Sequence, residues 1–313
     1  MMDSTKKTIK QVSKDRAKIV FLTCMLAWPL IQFAIFYVYM NYNNILMAFQ
    51  GMKPNGDTYW KGLQNFVDVI NGADTELILI SVWNNFKMSF ITTVIGLPLN
   101  ILFSYYLYKK KFGSTAIRIV YMVPSMVSGV VMTMLFMKFV ELGLPVMFRE
   151  YFNIEIPNLI RNNETAFGVQ VFYALWLGFS SSLLIYSNAM FAIDMSTIEA
   201  GVIDGTTPML ELWYIVVPMI FPTISTYVIT GVASILTMSG SLYIFYGLND
   251  VPKQTYMLGY YMFRIGKSGD LTAFPMAAAV SVLVTIVSLP MLMGARKLCD
   301  KLDPMRDVNE DIS

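Results

Sequence analysis

Six long apolar segments set the fold class of this sequence. They cover residues 19–40, 87–108, 116–137, 166–191, 214–238 and 274–294. Each has about the 20 residues with which an α-helix crosses the hydrocarbon core of a bilayer. Over the whole chain 56% of residues are hydrophobic and only 14% are charged, which is unusual for a soluble domain. Because backbone groups in lipid must find hydrogen bonds inside helices or closed barrels, we predict an all-α polytopic membrane protein with about six transmembrane helices.

Basic residues flank these segments unevenly and predict the topology. One side of the predicted spans carries three basic groups, which are Lys6, Lys7, Lys10, Lys14, Arg16 and Lys18 at the N-terminus, Lys109, Lys110, Lys111 and Arg118 after the second span, and Arg296, Lys297, Lys301 and Arg306 after the sixth. Since Lys and Arg near the spans accumulate on the cytosolic side, we expect both termini in the cytosol. The expected organisation is a basic cytosolic segment at 1–18 that leads into an uncleaved anchor, one domain at 19–298 in the cell membrane, and a cytosolic tail at 299–313.

The residues that the sequence lacks narrow the chemistry. It has no histidine, the commonest proton shuttle and metal ligand. Ionisable residues of the predicted spans stay at the edges, where Lys87 and Arg118 lie. Because proton-coupled carriers usually need carboxylates inside the membrane, a proton-driven carrier is disfavoured, while sodium coupling through backbone carbonyls stays open. We predict no catalytic, metal-binding or cofactor-binding cluster, and no nucleic-acid partner, since orientation accounts for the basic residues.

The connection between the fourth and fifth spans, residues 192–213, is acidic on the side where connections are expected to be basic. Residues 199–218 read EAGVIDGTTPMLELWYIVVP, without Lys or Arg. Asp194 is suited to cap a short helix that Gly205 ends. Thr207 followed by Pro208 is suited to begin a second helix, with Glu211 near its positive N-terminal end. We predict a helix-turn-helix that projects from the membrane and docks to another protein.

The order of residues in this loop resembles a known family. Glu-Ala-Gly-x-x-Asp-Gly, with a proline fourteen residues after Asp204, resembles the cytosolic signature loop of permease subunits of ATP-binding-cassette importers. In that family Glu-Ala-Ala, then Asp-Gly-Ala, then a proline recur at these spacings. Three positions differ from the usual family residues. Gly201 stands where the family usually has alanine or serine, and Thr206 stands where it usually has alanine. Asp194 stands where the family often has proline.

Three further strings resemble the carbohydrate-uptake branch of these importers, the maltose and oligosaccharide permeases. They are GLQNF at 62–66, RIVYMVP at 118–124 and YYMFR at 260–264. With the loop, the resemblance covers about residues 19–298. The resemblance therefore implies that the transported solute is a sugar or an oligosaccharide. These three strings are less specific to their family than the signature loop is to its own.

The resemblance also implies a mechanism and a set of partners. Two permeases pair, commonly two different ones, and each loop inserts into a groove of a cytosolic ATPase subunit. The coupling surface would be Glu199, Ala200, Gly201, Asp204 and Gly205. An extracytoplasmic solute-binding protein delivers the ligand. The chain itself would be no enzyme and hold no cofactor, since ATP is bound by the partner subunits.

The sequence gives less information about the residues of the transport path than about the loop. Candidate ligand contacts on the fourth and fifth spans are Tyr173, Trp176, Ser180, Asn188, Tyr227 and Thr230. Polar side chains in membrane helices often join helices together instead, so both roles stay open for them. Pro218 and Pro222 are expected to bend the fifth span.

Other functions remain as alternatives at this point. The importer could carry another polar solute, such as a polyamine or a peptide. A stand-alone secondary carrier and an intramembrane enzyme are further alternatives, and the signature loop and the missing intramembrane charges weigh against both. Whether the permease pairs with itself or with a different chain is open.

Overall fold

The computed structural model describes residues 18, 20–249 and 251–305 of the chain. Most of the predicted basic segment at 1–18, with Lys6, Lys7, Lys10, Lys14 and Arg16, lies outside the described residues, as does Arg306 of the predicted tail. Within these ranges the chain is helical apart from loops and one short antiparallel hairpin.

The elements follow one another along the chain as α1 (Val20–Ala48), β1 (Gln50–Met52), β2 (Thr58–Trp60), α2 (Gln64–Asn71), α3 (Thr75–Tyr108), α4 (Ser114–Met126), α5 (Gly129–Phe152), α6 (Ala166–Phe191), α7 (Met195–Ile203), α8 (Pro208–Met219), α9 (Phe221–Thr237), α10 (Leu242–Phe245), α11 (Leu258–Lys267) and α12 (Phe274–Leu302). Among the described residues five helices are long and apolar enough to cross a membrane, and α8 with α9 makes a sixth span if the bent pair counts as one. The predicted class of about six membrane helices is confirmed.

The first of two compact units comprises Met1–Ile70 and Asp270–Val282. Its hairpin pairs Gly51 with Tyr59. The Asn65 side chain donates hydrogen bonds to the carbonyl oxygens of Ala48, at 2.9 Å, and Gln50, at 2.7 Å. Phe66 packs against Phe49 with ring centroids 5.3 Å apart. The asparagine and the phenylalanine of the string at 62–66 therefore hold the hairpin onto α2.

The second unit comprises Asn71–Gly269 and Leu283–Ser313, and α3 is its central helix. With 34 residues, α3 is about 50 Å long at 1.5 Å per residue, which exceeds the roughly 30 Å of a bilayer core. Polar side chains recur about every fourth residue along one buried face of α3, at Ser81, Asn85, Ser89, Asn100 and Ser104. Since residues four apart share one face of a helix, these side chains form a polar stripe inside the bundle, where α3 packs extensively on α6.

Two asparagines of α3 fix the segments around the end of α9. The Asn85 amide donates to Ile235 O at 2.8 Å. The Asn84 amide donates to Tyr256 O at 2.9 Å and Lys253 O at 3.1 Å. Both side chains are buried, so each amide finds its hydrogen-bond partners in the backbone of these segments.

The third predicted span, residues 116–137, is wrong as a single helix. It breaks at Val127 and Ser128, whose ψ angles of 144° and 130° are extended. Upstream, Pro124 offers no N–H to the preceding turn. The helix that is long enough to span is α5, which continues to Phe152. An apolar run hides such a break because hydropathy does not register backbone geometry.

Two other span boundaries also differ from the predictions. The predicted third span ended before Lys138, but α5 continues through this residue. The carboxylate of Glu141 in α5 lies 3.6 Å from Lys138 Nζ and 3.6 Å from Arg161 Nε. The helix of the second span begins at Thr75 and not near Lys87. Charged residues therefore gave poor estimates of where these helices begin and end.

The bend predicted for the fifth span is confirmed. The axes of α8 and α9 differ by 67°, and the break lies at Ile220, between Pro218 and Pro222. Pro222 lies in the first turn of α9, where its missing N–H removes no helical bond, whereas Pro218 lies in the last turn of α8 and has no N–H to donate to the turn before it. The pair of prolines thus turns the chain without leaving it unfolded.

Candidate functional site: the loop at residues 192–213 and the cavity beside α3

The loop folds as two capped helices, as the sequence predicts. Asp194 Oδ1 accepts a hydrogen bond from Ser196 N at 3.2 Å and begins α7. Gly205 follows α7 with a φ of +81°, a left-handed conformation that is strained for residues with a side chain. Thr206 N donates to Gly201 O at 3.0 Å, which completes a Schellman-type helix end. Thr207 Oγ1 then accepts from Leu210 N at 3.5 Å and begins α8.

The inner face of the loop is packed into the core of the second unit. Ile198 of α7 and Leu212 and Val216 of α8 belong to one buried cluster. Tyr186 and Met190 of α6 belong to the same cluster, together with Ile101 of α3. Since the core packs like a solid, the two short helices are held as one rigid body against α3 and α6.

Two polar contacts add to this anchorage, and neither was predicted from the sequence. The Tyr105 hydroxyl donates to Pro208 O at 2.8 Å. Lys109 Nζ lies 2.5 Å from one carboxylate oxygen of Glu211 and 2.7 Å from the other. The Glu211 side chain is only 3% exposed, and a buried carboxylate needs such a partner to stay charged. The run of lysines at 109–111 was the available signal, but such a run indicates topology and does not show which carboxylate Lys109 pairs with.

The outer face of the loop is exposed and mixes apolar with acidic side chains. We call this surface the docking face, and its residues are Met195, Glu199, Ala200, Val202, Ile203, Asp204, Gly205 and Met209. Ile203 is 85% exposed. Glu199 and Asp204 form no ion pair with any residue that the structure describes. An apolar patch bordered by unpaired charges is typical of a surface that binds another protein.

Gly201 is placed differently from the other residues predicted for the coupling surface. It is buried on the inner face of α7. A Cβ atom at this position would collide with Ile215 Cδ1 and approach Thr206 Oγ1 to 3.3 Å. In this chain Gly201 is therefore a packing residue between α7 and α8.

A cavity of about 180 Å³ lies between α3, α6 and α9. Its polar and aromatic lining includes Thr92, Thr93, Asn100, Ser182, Tyr186 and Tyr227. Asn100 is 8% exposed, and its Oδ1 atom has no hydrogen-bond partner among the described residues. An unpaired buried acceptor is costly, so the cavity is suited to an occupant that donates a hydrogen bond. The polar stripe of α3 was the sequence signal for Asn100.

The residues predicted for the transport path fall in several surroundings. Tyr227 lines the cavity. Tyr173 is buried and its hydroxyl lies 2.6 Å from Thr133 Oγ1, and Trp176 belongs to the same aromatic cluster. Ser180 is buried, and its hydroxyl donates a hydrogen bond to Tyr121 O. Asn188 and Thr230 are exposed. Within the described ranges no three Cys, Asp or Glu residues are grouped so as to hold a metal ion.

The chain is similar to several permease proteins of transport systems. It is 29% identical over 203 residues to the sn-glycerol-3-phosphate transport system permease protein UgpA of Shigella flexneri, covering 63% of this chain and 67% of that protein. It is 22% identical over 275 residues to the arabinooligosaccharides transport system permease protein AraP of Bacillus subtilis (strain 168), covering 86% and 85%. With UgpA of Salmonella choleraesuis (strain SC-B67) it shares 26% identity over 278 residues, 84% and 89% of the two chains.

The fold and the family profile agree with these similarities. The crystal structure of a bacterial ABC transporter involved in the import of the acidic polysaccharide alginate contains a chain that matches with a TM-score of 0.77 and 19% identity, over 93% of this chain and 99% of that one. The profile of the binding-protein-dependent transport system inner membrane component matches residues 93–296. That stretch runs from within α3 to within α12 and includes the loop and every cavity residue named above except Thr92. This chain therefore belongs to the family of inner membrane components of binding-protein-dependent transport systems.

Proposed function

We propose that two cytosolic ATPase subunits bind the docking faces of this permease and of a second, different permease, and that ATP hydrolysis there drives inward transport of a sugar or oligosaccharide. An extracytoplasmic solute-binding protein supplies the ligand. The observation that carries the proposal is the docking face, an exposed apolar and acidic surface on a rigidly anchored helix pair. The chain hydrolyses nothing itself and acts as the moving part of the transporter.

The anchorage of the loop supports a mechanical role. A force on the docking face reaches α3 through the Lys109–Glu211 ion pair and the bond from Tyr105 to Pro208. It reaches α6 through the buried cluster around Ile198. Since α3 and α6 also form walls of the cavity, displacement of the loop changes the space available to a solute. Packed elements of this kind switch between discrete arrangements and do not deform continuously.

The cavity and the relatives together favour a polyhydroxylated solute. The relatives are named for glycerol phosphate and for arabinooligosaccharides, and the matching structure for alginate. Asn100 Oδ1 is free to accept a hydrogen bond, and Thr92 and Ser182 add hydroxyl groups to the lining. Tyr186 and Tyr227 supply aromatic surface, with ring centroids 5.3 Å apart. Directed hydrogen bonds beside aromatic rings suit the alternating polar and apolar faces of a sugar ring.

The first experiment identifies the partners. The protein is extracted from its native membrane in several mild detergents, and the proteins that remain bound are identified by mass spectrometry. We expect an ATPase subunit and a second six-span permease. Recovery of the ATPase with this chain alone would establish a homodimer instead. If no ATPase were recovered in any detergent, the proposed coupling role would be refuted.

A second experiment tests the docking face in the assembled transporter. Glu199→Ala removes an exposed carboxylate from the docking face, and Asp300→Ala removes an exposed carboxylate of α12 as the control. We expect Glu199→Ala to lower transport per ATP hydrolysed, while Asp300→Ala leaves the ratio unchanged. Normal coupling in Glu199→Ala would count against a role of this carboxylate.

A further inference from the structure

A second cavity, of about 290 Å³, lies on the same side of the protein as the loop and has the character of an anion site. It is formed where the connection between α3 and α4 meets the end of α6. Its lining includes Lys110, Ser114, Thr115 and Arg118 together with the apolar residues Leu107 and Phe191. We propose that it binds the phosphate group of an anionic phospholipid headgroup.

The charges of this cavity are uncompensated. Its lining contains no carboxylate, and neither Lys110 nor Arg118 forms an ion pair with any residue in the described ranges. The neighbouring Lys109 differs, because Glu211 neutralises it. Two cations that converge on one cavity repel each other unless an anion lies between them.

The backbone at Lys110 favours a specific function for this residue. Lys110 has a φ of +48° and is one of two non-glycine residues with positive φ in the part of the chain that the structure describes. This conformation costs free energy for any residue with a Cβ atom. Lys110 N donates to Leu107 O at 3.1 Å, so the chain turns at the end of α3, and Lys110 lines the cavity at this turn.

The lining also indicates which anion fits. Lys and Arg together provide the donors that bind phosphate oxygens most strongly. The hydroxyl groups of Ser114 and Thr115 are engaged with no other described residue and can add two more donors. Leu107 and Phe191 give the cavity an apolar part, which suits the glycerol and upper acyl region of a lipid. Basic pockets between membrane helices at the cytosolic surface bind anionic headgroups in this way.

The test uses the purified full-length protein and short-chain phosphatidylglycerol, with bound lipid counted by native mass spectrometry. The variant Lys110→Gln/Arg118→Gln removes both cations of the cavity. The control Lys111→Gln removes the same kind of charge from the same connection but does not line this cavity. Circular dichroism and thermal unfolding in phosphatidylcholine verify that all variants are folded.

We expect the double variant to bind phosphatidylglycerol about tenfold or more weakly, the loss typical of charge-assisted bonds, and Lys111→Gln to bind within about twofold of the native chain, as expected for an exposed charge without a partner. Wild-type affinity in the double variant would overturn the proposal. A loss of about threefold or more in Lys111→Gln would also overturn it, because that is the share of a tenfold loss that one of two charges takes if attraction depends on net charge alone.

Inorganic phosphate distinguishes the two sources of the same chemical group. If millimolar phosphate leaves lipid binding unchanged, the ligand is the headgroup, as proposed. If phosphate alone binds the native chain but not the double variant, and phosphatidylglycerol shows no preference between them, the site holds soluble phosphate and the lipid assignment is overturned. Neither result depends on ATPase coupling, so the site and the transport mechanism are tested separately.

Discussion

Lys109 Nζ lies 2.5 Å from Glu211 Oε1, and the two residues of this ion pair differ in their access to water. The Lys109 side chain is 24% exposed, whereas that of Glu211 is 3% exposed. When one partner is removed, the other keeps its charge at a cost set by its own burial. The two single substitutions should therefore have unequal effects.

Lys109→Met leaves the carboxylate of Glu211 buried without a counter-charge, and we expect it to lower the free energy of unfolding by about 3–5 kcal/mol. Glu211→Gln leaves Lys109 able to reach water, so we expect the smaller loss of a single charged hydrogen bond, about 1–2 kcal/mol. The measurement is thermal or denaturant unfolding in detergent. Equal losses would show that the two side chains are equally solvated in solution.

Ile203 should be a binding residue of the docking face. It is 85% exposed, so Ile203→Ser leaves the fold unchanged but removes a large apolar contact from an interface. We expect affinity for the ATPase subunit to fall by about tenfold or more, as for a buried apolar anchor. Phe112 is a matched control, because it is 99% exposed in the connection after α3. If Phe112→Ser weakens the complex as much, the interface is not confined to the docking face.

Two glycines of the loop should respond differently to alanine. Gly205→Ala places a side chain at a φ of +81° and should cost about 1–2 kcal/mol from left-handed strain. At Gly201 the obstacle is the end of the Ile215 side chain, which can rotate, while alanine favours the helix by about 1 kcal/mol. We expect Gly201→Ala to be nearly neutral in thermal unfolding and in ATPase coupling. A larger loss at 201 than at 205 would contradict this assignment.

Asn85 should be required for stability and not for ligand binding. Asn85→Ala removes the donor to Ile235 O and the acceptor for Leu258 N. Buried groups that lose their partners cost about 1–3 kcal/mol, so the unfolding midpoint should fall. Asn188, an exposed asparagine of α6, is the control, and Asn188→Ala should change stability by less than about 0.5 kcal/mol. Similar midpoints for both variants would refute the role of Asn85.

Asn100 should be required for ligand binding and not for stability, which is the reverse of what we expect for Asn85. Asn100→Leu removes an unpaired buried acceptor and should raise the free energy of unfolding by about 1 kcal/mol. It also removes the group that we propose for a sugar hydroxyl, so uptake by the assembled transporter should fall. Gain of stability with loss of function is common at sites that bind polar ligands. Higher stability with normal uptake would exclude Asn100 from the path.

The local signals of the sequence were sufficient for the loop. Asp194, Gly205, Thr207 and Pro208 act through their own backbone and the next turn, so their type and order determine where α7 and α8 begin and end. The bend after Pro218 follows for the same reason. Helix caps, turns and proline bends depend on neighbouring residues only, so the sequence predicts them without knowledge of the rest of the fold.

Contacts between residues that are distant in the sequence could not be predicted from it. Glu211 pairs with Lys109, which lies 102 residues away, and neither residue type indicates which partner it has. The inward position of Gly201 depends on how α7 packs against Ile215. The break at Val127 lies inside an apolar run, where composition gives no contrast. Tertiary packing determines all three features.

Pro98 lies in α3 between Gly96 and Asn100, at the level of the 180 Å³ cavity. Having no N–H, it removes one backbone hydrogen bond from an otherwise continuous helix and softens it there. The half of α3 before Pro98 is bound to the distant end of the unit through Asn85, and the half after it is bound to the loop through Lys109. The weakest point of α3 therefore lies at the wall of the cavity, between two halves of the helix that different parts of the unit hold in place.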